Sequence, residues 1–156
     1  MRLEYFQMLD SIGELDLARA ALTAQAKVPE ASPIFEGHFA GHALMPGVLL
    51  LETMAQASGY LLLALCGFDR MVFLVGAKEA KFRSFVVPGD RLAVHAERQH
   101  DGSGYAVMRC RIDRDGACVS DAVLTMRMVP FANEALRHHV RREGARLGLL
   151  AGAEGT

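Results

Sequence analysis

Glu52 and Gln56 lie four residues apart in the stretch GHFAGHALMPGVLLLETMAQ (residues 37–56), just after two histidines, His38 and His42. The surrounding run, Leu44 to Phe68, is otherwise almost entirely apolar. Carboxylate and amide side chains are costly to bury unless partnered, so this pair asks for a role. Spaced four apart on a helix, the two share one face, one turn from each other. Apolar surroundings disfavour the charged form of a carboxyl group, a condition that suits Glu52 to general-acid work. Gln56 is placed to hold that carboxyl group or a water beside it. His38 and His42, in the loop feeding the helix, are candidate complementary bases. The helix start adds a third component. Pro46 lacks an N–H, while the first amides, Gly47 and Val48, have no intrahelical acceptor and sit at the positive end of the helix dipole. A carbonyl oxygen there would be polarised as in an oxyanion hole, and Gly47 has no side chain to block its approach.

Base, acid and carbonyl-binding amide together describe removal of a proton alpha to a carbonyl while a group on the beta carbon departs. With hydroxyl as the leaving group, the reaction is dehydration of a 3-hydroxyacyl compound; in reverse it is hydration. The residues alone leave other readings open. A loop histidine can equally cap its loop, and a glutamate in an apolar helix can be structural. His38 and His42 also form an HxxxH pair that with Glu52 would offer metal ligands, but the loop lacks helical register between them, and no metal is expected. No phosphate loop or nucleophile elbow is present.

The elements that must position these groups follow from pattern. Gly47 to Cys66 reads as a helix opening after Pro46 and fraying at Gly67. It is apolar on most faces, so a sheet must wrap around it. Candidate strands run from about Phe6 to Ile12 and from Leu22 to Val28, followed by a loop from Pro29 to Pro46. Met71 to Phe82 is a third strand, closed by the turn signal VPGD at Val87 to Asp90. Arg91 to Arg98 alternates, with Leu92, Val94 and Ala96 on one face. Ala106, Met108, Cys110 and Ile112 form the apolar face of the next strand, and Ala122, Leu124, Met126 and Met128 that of the last. Matching those faces predicts Ile112 opposite Cys118 and Met108 opposite Ala122, with Arg114, Asp115 and Gly116 as a three-residue loop. The whole is α+β: an antiparallel β-sheet wrapped around a long central α-helix. Residues 1–130 form a single domain, and 131–156 a C-terminal helical extension or tail whose last residues fray.

With 156 residues, 51% hydrophobic, 22% charged and a net charge of -1, the composition is that of one globular domain with no field to attract nucleic acid. The apolar run is interrupted by Pro46, Gly47, Glu52, Gln56, Ser58 and Gly59, which argues against a membrane span. Three cysteines (Cys66, Cys110, Cys118) lack metal-ligand spacing, and MRLEYFQML is not a secretory signal, which fits a reducing cytoplasm.

The segment GHFAGHALMPGVLLLETMAQASG resembles the signature of the bacterial (3R)-hydroxyacyl-acyl-carrier-protein dehydratases of fatty-acid synthesis. That signature has a catalytic histidine in a GHFPG context, then MPG, then a helix with an acidic residue fourteen positions after the histidine. His38 and Glu52 have that separation. AKFRSFVVPGDRL also resembles the family's downstream lysine, phenylalanine and arginine strand followed by PGD. The resemblance covers roughly residues 4–129 and implies a hotdog fold. It also implies homodimers paired sheet edge to sheet edge, with a trimer of dimers as the open alternative. The active site would lie at the dimer interface, with histidine from one chain and the acid from the other. By that similarity His38 is the base at C2, Glu52 protonates the departing C3 hydroxyl, and the Gly47 amide binds the thioester carbonyl. Gln56, Phe39 and Val48 complete the substrate-binding set, and His42 is left to loop structure. Glutamate at position 52 favours the plain dehydratase over the dehydratase-isomerase branch.

The partner that the resemblance implies is an acidic acyl carrier protein, and it implies no bound cofactor. Lys78, Lys81, Arg83 and the tail arginines Arg137, Arg141, Arg142 and Arg146 are candidates for the rim that meets it. Ala40 and Ala43 stand where the family usually has proline, the leading helix is mostly absent, and the tail is long. These departures resemble dehydratases serving specialised carriers, including those making very long acyl chains for lipid A. The competing readings are a hotdog acyl thioesterase, an enoyl-CoA hydratase, and a non-catalytic acyl-chain-binding protein.

Overall fold

The computed structural model describes residues 1–149. Among these residues six strands form one antiparallel sheet: β1 (Ser11–Asp16), β2 (Ala21–Lys27), β3 (Arg70–Phe82), β4 (Arg91–Gly102), β5 (Tyr105–Arg114) and β6 (Ala117–Pro130), in the order β1-β2-β4-β5-β6-β3. A short helix α1 (Pro33–Gly37) and the long helix α2 (Gly47–Leu65) intervene between β2 and β3, and α3 (Glu134–Arg146) follows β6. α2 packs against β2, β3, β4, β5 and β6, so the sheet curls around it as its composition demands. Leu50, Met54, Ala57 and Leu61 are buried from the helix side, and Val94, Met108 and Leu124 from the sheet side.

α2 is long and apolar enough for a membrane span by length and hydropathy alone. In the fold 56% of that apolar stretch is buried, with the sheet packed against it. The helix ends at Cys66 in a Schellman motif: the Gly67 amide donates to the Ala64 carbonyl and the Phe68 amide to the Leu63 carbonyl at 2.8 Å. Gly67 takes the left-handed conformation this needs, with φ +61°.

The opening strand lies later than its sequence pattern suggests. Leu3–Tyr5 form a 3-10 turn, and β1 begins only at Ser11. Met8 and Leu9 are consecutive and both fully buried. A strand covered on one face cannot bury neighbours in sequence, so this segment runs as irregular chain into the core. In the loop after β2, Ser32 caps the short helix α1 by accepting the Ile34 amide.

The register of β5 against β6 also differs by two residues. Met108 faces Leu124, Cys110 faces Ala122 and Ile112 faces Ser120, while Asp113 faces Cys118 across a bulge. The turn is Asp115-Gly116, both with positive φ (51° and 78°), the two-residue type whose twist matches a hairpin. A tight turn plus one bulged residue displaces the pairing by an even number, so each apolar set still faces the core. Cys110 and Cys118 do not pair, and all three cysteines are free. The Cys110 thiol lies 3.0 Å from the Ser58 hydroxyl in the core.

Residues beyond β6 are fastened back onto the fold. Arg137 donates to the Phe68 carbonyl at 3.0 Å and to Asp69 at 2.7 Å. The Leu147 carbonyl accepts from Ile12 at 2.7 Å, and the Leu147 side chain is buried. The expected fraying of the last residues lies outside the described residues.

Candidate functional site

Glu52 and Gln56 occupy one face of α2, and the structure brings them together as their spacing requires. The Gln56 amide donates to the Glu52 carboxylate at 2.9 Å. The same amide nitrogen donates to the Phe6 carbonyl at 2.6 Å, and the Gln56 oxygen accepts from Met8 N at 3.1 Å. Gln56 therefore does two jobs: it fixes the carboxyl group and clamps the N-terminal segment onto the helix.

Both residues open into a cavity of about 600 Å³. Its apolar wall is Ala55, Gly59 and Leu63 of α2, Met71 to Leu74 of β3, and Met126 of β6. Tyr5 and Phe6 flank one side, and α3 contributes His139, Val140, Glu143 and Arg146. Volume and lining are those of a small-molecule pocket, largely apolar with a few polar groups at fixed points. The residues the sequence analysis missed were within reach of helical periodicity. Gly59, Tyr60 and Leu63 continue the stripe that starts at Glu52 and Gln56. Burial, reinforced by the neighbouring Glu143 carboxylate, pushes the Tyr60 hydroxyl above its ordinary pKa. No local pattern marks the α3 side chains as part of this cavity.

His38 is placed elsewhere; it does not line the cavity that holds Glu52. It follows α1 and is gripped twice by one residue. Leu44 N donates to the His38 carbonyl at 2.8 Å, and the His38 Nδ1 lies 3.0 Å from the Leu44 carbonyl oxygen. A carbonyl can only accept, so Nδ1 carries the proton and Nε2 is left as the basic nitrogen. The Phe39 ring stacks on the imidazole with centroids 4.2 Å apart. His42 exchanges two backbone hydrogen bonds with Phe39, which closes the loop.

Gly47 starts α2 behind Pro46, and a side chain there would press on the Phe82 ring at 3.2 Å. Its glycine thus lets β3 approach the helix start. Val48, one residue on, is 70% exposed, and Phe39 is 54% exposed. Among the described residues β3 is an edge strand, paired on one side only, with Phe73 and Val75 about half exposed. Phe82, at the end of β3, and Phe85, in the loop after it, are exposed as well.

Of the basic residues considered for a docking rim, several are already engaged. Arg83 pairs with Asp121 at 2.6 Å, which raises the guanidinium pKa and lowers that of the carboxyl group. Arg137 holds the α2 terminus, and Arg146 pairs with Glu143 at 2.9 Å.

A family model described as a FabA-like domain matches residues 2–123. The chain is 37% identical over 123 residues to the 3-hydroxyacyl-acyl-carrier-protein dehydratase FabZ of Thiobacillus denitrificans, covering 76% of this chain and 84% of that one. It is 34% identical over 130 residues to the FabZ of Agrobacterium fabrum, covering 80% and 81%. Among solved structures it is similar to a hypothetical thioesterase with coenzyme A from Streptococcus pneumoniae, at 18% identity and a TM-score of 0.62 over 79% of this chain and 88% of that one. A conserved protein of Pseudomonas aeruginosa gives 18% identity and a TM-score of 0.63 over 81% and 91%. At such identities these two likenesses speak for the shared hotdog fold alone.

Proposed function

The chain belongs to the FabA-like domain family, and from that premise we propose that it is a hydro-lyase of fatty-acid biosynthesis. It dehydrates (3R)-hydroxyacyl-acyl-carrier-protein to the trans-2-enoyl product. The observation that carries this reading is the Glu52 carboxyl group, fixed by Gln56, opening into an apolar cavity of about 600 Å³.

Two copies pair along the exposed edge of β3, which brings the partner subunit's His38 to the Glu52 cavity. Nε2 of that histidine takes the proton from C2. The C3–oxygen bond breaks as Glu52 gives its proton to the departing hydroxyl, and water leaves. The thioester carbonyl, which gains negative charge as the C2 proton leaves, is held by the Gly47 amide at the positive end of α2. Phe39 and Val48, apolar and exposed, border the substrate at the interface. The reaction balances without a redox partner, since one proton is taken and one returned. The free cysteines suit a reducing cytoplasm.

The test is turnover of 3-hydroxyacyl-acyl-carrier-protein, followed at once by enoyl absorbance and by free-thiol release. Enoyl formation without thiol release is the expected outcome. Thiol release alone would replace this reading with hydrolysis, and neither signal would leave a binding protein.

A further inference from the structure

Resting on the dehydratase reading, we propose that α3 is the wall that selects acyl chains by length, with Val140, Glu143 and Arg146 as the selecting residues. α3 lies wholly outside the segment matched by the family model, residues 2–123. It nevertheless supplies four side chains to the cavity that holds Glu52.

The direction of the chain follows from the site. With the thioester carbonyl at the Gly47 amide and C3 at Glu52, the rest of the acyl chain points away from Gly47, along Gln56, Gly59 and Leu63. From Glu52 to Tyr60, at 1.5 Å per residue, is about 12 Å of helix. Past Gln56 the path turns apolar: among the described residues nothing packs against the place where a Gly59 side chain would project, and Val72 and Leu74 of β3 line the same cavity. Beside Tyr60 the lining changes character. There Glu143 pairs with Arg146 at 2.9 Å and accepts from Gln7 at 3.3 Å. Methylenes pressed onto this pair strip water from two charges, so they gain nothing from burial. Each methylene that stays within the apolar part gains about fourfold in affinity.

The wall is rigidly placed. Arg137 ties the first turn of α3 to the end of α2, Gly144 packs against Phe68, and Leu147 is buried behind it. It therefore favours acyl chains that end before α3, which runs against a very-long-chain substrate.

The experiment is a series of 3-hydroxyacyl-acyl-carrier-proteins from short to long chain, assayed on the wild-type protein and two variants. Glu143→Leu with Arg146→Leu makes the wall apolar, and Val140→Phe thickens it; melting temperatures verify folding. The long-to-short ratio of kcat/KM should rise about tenfold in the first variant, the gain from between one and two further buried methylenes, and fall in the second. Calorimetric binding of the matching saturated acyl thioesters gives a readout independent of turnover. An identical length profile in all three proteins would overturn the wall, even with dehydration observed. A shifted binding profile without dehydration of any chain would support the wall and overturn the dehydratase reading instead.

Discussion

Leu44 holds His38 by its backbone alone: its amide donates to the His38 carbonyl at 2.8 Å and its carbonyl accepts from Nδ1 at 3.0 Å. The imidazole is thus oriented, and its tautomer set, by backbone groups that every residue but proline would keep at position 44. His38→Asn keeps a donor near the Nδ1 position but has no Nε2. It should melt like the wild type while kcat for dehydration falls about 10²–10⁴-fold. Thermal unfolding together with enoyl absorbance checks both halves of that statement, and near-native turnover would remove His38 from the mechanism.

Glu52→Gln should lose turnover to a similar extent, about 10²–10⁴-fold. If each site combines His38 of one chain with Glu52 of another, mixing unfolded His38→Ala and Glu52→Gln chains and refolding them together should restore activity. About a quarter of the wild-type rate is expected, because half the dimers are hybrids and one of the two sites in each is whole. No recovery would mean that both residues of a site come from the same chain.

Gln56→Ala removes three hydrogen bonds, to Glu52, Phe6 and Met8. The Met8 amide is left with a lost partner near the core, so stability should drop by about 1–3 kcal/mol. The unclamped Glu52 should lower kcat more than it changes KM. Denaturant unfolding and steady-state kinetics measure the two effects separately.

Val75 sits half exposed on the edge strand β3. Val75→Lys places a charge where edge pairing needs an apolar surface. Size-exclusion chromatography with light scattering should show dimers of the wild type shifting to monomers, with activity lost in parallel. An unchanged mass would place the interface elsewhere.

Burial pushes the Cys110 thiol from 9.0 up to about 11. Between these values the unfolded chain releases the thiol proton and the folded chain keeps it, so this group's contribution to stability is complete below pH 9 and is lost as pH rises to 11. Iodoacetamide at pH 8 should label Cys66 and Cys118 of the native protein and reach Cys110 only after unfolding. Mass spectrometry of the labelled peptides decides the order.

Gly59 is helical, with open space where a side chain would project. Gly59→Ala should stabilise the protein by about 0.8–1.0 kcal/mol through helix propensity, read as a higher melting temperature. Gly59→Leu should also narrow the acyl path and lower kcat/KM most for long chains.

The long helix, the strands after it, and the Glu52–Gln56 pair were legible in the sequence because each rests on a short-range period. A spacing of four on a helix puts two side chains together whatever surrounds them, and alternation fixes which face of a strand is buried. The β5–β6 register was misjudged by two residues because parity is blind to even slips: a tight Asp115-Gly116 turn with a bulge and a three-residue loop without one leave the same apolar faces inward. The opening strand was misplaced because Met8 and Leu9, both apolar, look like strand residues until tertiary packing buries them side by side. The glycine at 47 was readable as an opening for a carbonyl, but the ring of Phe82, thirty-five positions on, supplies the steric reason for it.

Local pattern was enough to give the polar pair that the long helix presents, Glu52 with Gln56, and the antiparallel sheet that must enclose that helix. The shape of the space around them came from packing between distant segments. It separated His38 from the Glu52 cavity within one chain, clamped the N-terminus through Gln56, and laid α3 along the groove. The reason is physical. Periodicity encodes contacts a few residues apart, whereas the walls of a cavity are set by long-range packing between segments whose patterns carry no mark of each other.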